Sequence, residues 1–144
     1  MNVQLLFNFL AVGPTLVAII VCLTIGGRAE RTGGLIVAAN LAATWAVQVS
    51  IAQAPPWGFL LIDLLTAAAL LWVTLSYPEK LWPGVAAVSV VLGAAFSATR
   101  LIDFPLSEFA YLAALNISSL IVSGSLITGS VLNRRRAPDL NPPG

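Results

Sequence analysis

Residues 3–25, 34–54, 57–77, 82–102 and 106–132 form five apolar stretches that take up nearly the whole chain. Each approaches or exceeds the ~20 residues that cross a hydrocarbon core as a helix. Their apolar residues run on without a period of two, which favours helices over a membrane barrel. Only 9% of the 144 residues are charged, against roughly 25% in an ordinary soluble domain, so there is too little polar surface to solvate a globule. The expected fold is all-α: a polytopic membrane helical bundle of about five transmembrane helices, residues 1–132, followed by a polar, basic, proline-rich tail, residues 133–144.

Glycine and proline punctuate the breaks: Gly26-Gly27 and Gly33-Gly34 bracket the first loop, Pro55-Pro56 the second, Tyr77-Pro78 the third and Phe104-Pro105 the fourth. Pro14 lies within the first stretch and removes the hydrogen bond to the Leu10 carbonyl, so a kink is expected there. If five helices alternate, Arg28, Arg31, Lys80, Arg134, Arg135 and Arg136 share one side and only Arg100 lies near the other. The positive-inside rule then places the N-terminus in the periplasm and the C-terminus in the cytoplasm of a bacterial inner membrane. Most aromatic residues fit two interfacial belts, but Trp45 has no account from sequence. The first stretch is longer than a signal-peptide apolar region and has no basic flank, so it is expected to stay in the mature protein.

Composition also narrows the chemistry. A net charge of +1 spread through the loops offers nothing like a nucleic-acid-binding face. Histidine is absent, which removes His-ligated haem and chlorophyll and an imidazole base. Bound lipid is expected, and pigments only where neighbouring subunits hold them. Cys22 has no partner in the chain and suits plain packing. No phosphate loop, paired intramembrane aspartates or serine–histidine pair is present, so catalysis is not expected.

Asp63 is the sharpest residue, six positions into the third stretch and hence about 9 Å from its outer end at ~1.5 Å per residue. Helical side chains lean toward their own N-terminus, which brings Asp63 outward and Arg100 inward, so an intramembrane ion pair between them is expected. Asp103 and Glu108 compete for Arg100 from the adjoining loop. Asn40, Thr44 and Gln48 form a polar row on the second helix, and Asn116, Ser119 and Ser123 another on the fifth; interhelical hydrogen bonds account for both. With Asp63 they also suggest a narrow polar path confined to the outer half of the bilayer.

Small residues recur four apart at Ala38, Ala42 and Ala46, at Ser89, Gly93 and Ser97, and at Ser125 and Gly129. Such rows let helices approach closely in lipid, and a bundle of five has more of them than it buries easily. The function expected first is therefore a non-catalytic accessory subunit packed against other integral membrane subunits of a larger complex, such as an energy-converting one. The alternative is a small transporter, channel or membrane sensor that uses Asp63. The basic cluster Arg134, Arg135 and Arg136 serves topology and attraction to anionic lipid before any specific docking.

Overall fold

A computed structural model describes residues 3–50, 56–99, 101–102, 105 and 107–136, with the side chains of all of these except 3–11, 50, 56, 108 and 136. Five helices follow one another: α1 (Val3–Ile25), α2 (Arg28–Ser50), α3 (Pro56–Ser76), α4 (Trp82–Thr99) and α5 (Glu108–Arg136), with no strand among the described residues. α2, α3, α4 and α5 are each long and apolar enough to cross a membrane, and α1 adds an apolar segment at Val12–Ile25. The architecture is that of a multi-pass helical bundle. Pro14 lies inside a continuous α1.

The surface is that of a membrane-spanning bundle. Leu16, Ile20, Leu35, Leu61, Leu65, Leu75, Val88, Leu92 and Ile117 all point outward; in water an apolar coat of this extent would drive association. The buried core is made instead of small or compact groups, with Ala18 and Cys22 from α1, Leu70 and Val73 from α3, Ala86 and Ala87 from α4, and Leu126 from α5. Among neighbouring helices, α3 packs on α4, α4 on α5 and α5 back on α1, while α2 lies against α1 and α3 and touches α5 only lightly.

Two of the boundaries that depart from the sequence pattern bear on the packing. α2 begins at Arg28 rather than at Gly34, so the first loop shrinks to Gly26 and Gly27. Gly33 and Gly34 belong to the helix because their missing side chains make room: a Cβ at Gly33 would run into the Trp82 indole, and one at Gly34 would lie 2.8 Å from Cys22 Cβ. α5 continues through Arg136, one turn beyond Leu132, and its Asn133 is held by a hydrogen bond from Lys80.

That bond belongs to a polar staple at the end carrying Arg28, Arg31, Lys80, Arg134 and Arg135. Glu30 in the first turn of α2 is fully buried (0% exposed), where a carboxylate also complements the positive end of the helix dipole. Lys80 Nζ donates to Glu30 Oε1 at 2.5 Å and to Asn133 Oδ1 at 3.1 Å, and Trp82 Nε1 donates to the same Glu30 oxygen at 3.2 Å. Three segments distant in sequence are thereby joined. The Trp82 ring lies in a slot between Gly33 and Gly129, where a Cβ on either side would collide with it.

Candidate functional site

α1 to α5 together line a partly open cavity of about 160 Å³ with a mixed lining. Its polar wall carries Thr15 from α1, Asn40 from α2, Asp63 and Thr66 from α3, and Ser118 and Ser119 from α5; α4 contributes Val90 and Gly93. Gly93 brings the α4 backbone close to α5, since a Cβ there would lie 3.6 Å from Ser118 Oγ.

Hydrogen bonds fix the direction of this wall. Thr66 gives its hydroxyl proton to the Ile62 carbonyl at 2.8 Å, within its own helix, and accepts from Asn40 Nδ2 at 2.8 Å. Ser97 Oγ donates to Asp63 Oδ2 over a longer 3.4 Å. On the far side, Thr15 Oγ1 meets Ser119 Oγ at 3.0 Å and Ser123 Oγ at 3.3 Å, joining α1 to α5 across 104 and 108 residues of sequence. A carboxylate bonded by a neutral hydroxyl inside a helical bundle keeps acceptor capacity, and ionisable groups in such positions commonly mark function.

No known family model, curated protein or solved structure matches the chain.

The sequence-predicted residues divide. Asp63, Asn40 and Ser119 line the cavity, and Ser123 joins Thr15 beside it. Thr44 is half-buried and Gln48 exposed, so the row on α2 reaches the cavity through Asn40 alone. Asn116 is buried, but its amide nitrogen donates to the Leu112 carbonyl of its own helix at 2.9 Å. Arg100 lies outside the described residues, as does Asp103, so the predicted Asp63–Arg100 ion pair is not among the contacts described here. Arg134 and Arg135 are exposed at the end of α5, and the Arg136 side chain is outside the described set.

Sequence inspection missed Glu30 and its staple. Placing Glu30 in a loop hid the signal that, once α2 starts at Arg28, an acid in its first turn lies at the same end as Lys80. Among the described residues, Glu30–Lys80 is the salt bridge the fold contains. Of the small-residue rows, Ser89, Gly93 and Ser97 are buried, and Gly129 receives Trp82; Ala42 and Ala46 are left exposed.

Proposed function

We propose that the chain is a multi-pass protein of a bacterial inner membrane that binds a small polar solute in the Asp63 cavity, as a small transporter or a membrane sensor. The observation that carries this is the cavity itself: all five helices contribute to a space lined by one carboxylate, one amide and several hydroxyls. A bundle needing only structural support gains little by keeping such groups around open volume, because polar groups away from water are costly unless fully bonded. The uneven spread of Lys and Arg supports a periplasmic N-terminus and a cytoplasmic C-terminus.

Accessibility tests the proposal. Ser118→Cys in a Cys22→Ser background should react with a small cationic thiol reagent in reconstituted vesicles, and a bound solute should slow the reaction. A cavity that no reagent reaches, in vesicles that show no flux above empty ones, would remove both the transporter and the sensor.

A second role is favoured by a different surface. Ala42, Ala46 and Trp45, the last 69% exposed, lie on the outward side of α2, and small residues there suit close approach of another helix. On this role the chain is a non-catalytic accessory subunit, with α2 turned toward other integral membrane subunits. Recovery of a defined complex from native membranes in mild detergent, lost on Ala42→Leu, would support it.

A further inference from the structure

Resting on the cavity as the functional site, we infer that its ligand is a primary ammonium ion carrying a short alkyl chain, held with the cation against Asp63. The direction of the hydrogen bonds carries the argument. Asn40 donates to Thr66, Thr66 gives its proton to Ile62, and Ser97 turns its proton toward Asp63. Around Asp63 the Thr66 and Ser97 protons are thus committed to the protein, and the carboxylate is the strongest acceptor of the lining. A carboxylate offers about four lone-pair sites, so the Ser97 hydroxyl leaves Asp63 able to accept more.

No Lys or Arg lines the cavity among the described residues, which sets the charge of the occupant. An anion would face Asp63 unshielded. A bare metal cation of the hard type gathers about six to eight oxygen ligands, whereas much of this lining is Val12, Val37, Leu41, Val90, Leu115 and Val122. An alkylammonium uses both halves of the wall. Its three N–H donors meet Asp63 and neighbouring oxygens, and its carbon chain lies against the valines and leucines. The gain from burying carbon is about fourfold in affinity per methylene, until the space is filled.

Thermal unfolding of the full chain in detergent micelles, titrated with methyl-, ethyl- and n-propylammonium chloride, tests this. The midpoint should rise with concentration, with apparent affinity increasing by about fourfold per methylene, and should not move with n-propanol or potassium chloride at equal concentration. Asp63→Asn should lose about tenfold or more, the low end for removing a hydrogen bond to a charged group. Ser118→Val keeps Asp63 but fills the space; it should abolish the response, and it serves if Asp63→Asn fails to fold. An equal response to n-propanol or potassium, or one retained in Asp63→Asn, overturns the ligand class while leaving the cavity as a binding site. Silence across the panel with Ser118→Cys still reactive does the same. Silence together with an unreactive Ser118→Cys overturns the binding site as well. A response that emerges only in Arg100→Gln overturns the inference by showing that the chain supplies its own cation.

Discussion

The Glu30–Lys80 pair permits the most direct test of the packing argument. Removing one partner of a fully buried pair costs about 3–5 kcal/mol, most of it from the charge left behind. Here the Lys80 side chain is 20% exposed while Glu30 is 0% exposed, so the two substitutions are not equivalent. Lys80→Met strands the buried carboxylate with only the Trp82 N–H, and solvent reaching the lysine end relieves part of the penalty, giving about 2–4 kcal/mol. Glu30→Gln keeps the side-chain shape and an oxygen for Trp82, and leaves Lys80 with Asn133 and water, so about 1–2 kcal/mol is expected. Combined, the two should cost less than their sum by at least about 1 kcal/mol, because the second removes the charge that the first stranded. Stability would be measured by reversible unfolding of the detergent-solubilised protein in increasing SDS. The account of the staple fails if both single variants lie within about 0.5 kcal/mol of the parent and their coupling is zero within error.

Three further outcomes are expected. Gly129→Ala should destabilise by about 1–3 kcal/mol by pushing a methyl into the Trp82 ring, whereas Gly124→Ala, where a Cβ meets nothing within 4 Å, should be neutral or stabilise by up to about 1 kcal/mol; SDS unfolding separates them. A cysteine at Glu79 should react with an impermeant thiol reagent only after cells are opened, and one at Ile102 in intact cells; the reverse pattern would invert the proposed topology. Ala42→Leu, and deletion of residues 137–144, should leave bundle stability within about 0.5 kcal/mol while lowering the yield of any complex recovered from native membranes; an unchanged yield would count against the accessory role.

The five helices were legible because lipid imposes a length on every span, and hydropathy records that length. Where α2 begins was not, since Gly33-Gly34 carries the composition of a loop and only the placement of Trp82 and Cys22 against it explains why glycine stands inside a helix. Asp63 and Asn40 stood out as polar groups among apolar neighbours. Their partners did not: Thr66 and Thr15 are ordinary helix residues until packing brings them to Asn40, Ser119 and Ser123. Glu30 was overlooked for a related reason, because a charge near a span end reads as solvated unless the fold closes over it.

The α1–α5 pairing has a consequence for how the protein is made. Thr15 meets Ser119 across 104 residues, and Glu30 waits for Lys80 50 residues later. During synthesis the first hairpin therefore enters the membrane before Ser119 and Lys80 exist to meet it, and the ring of helices closes only when the last one arrives. A nascent chain stalled before α5 presents an open seam along α1, where the last helix would otherwise lie.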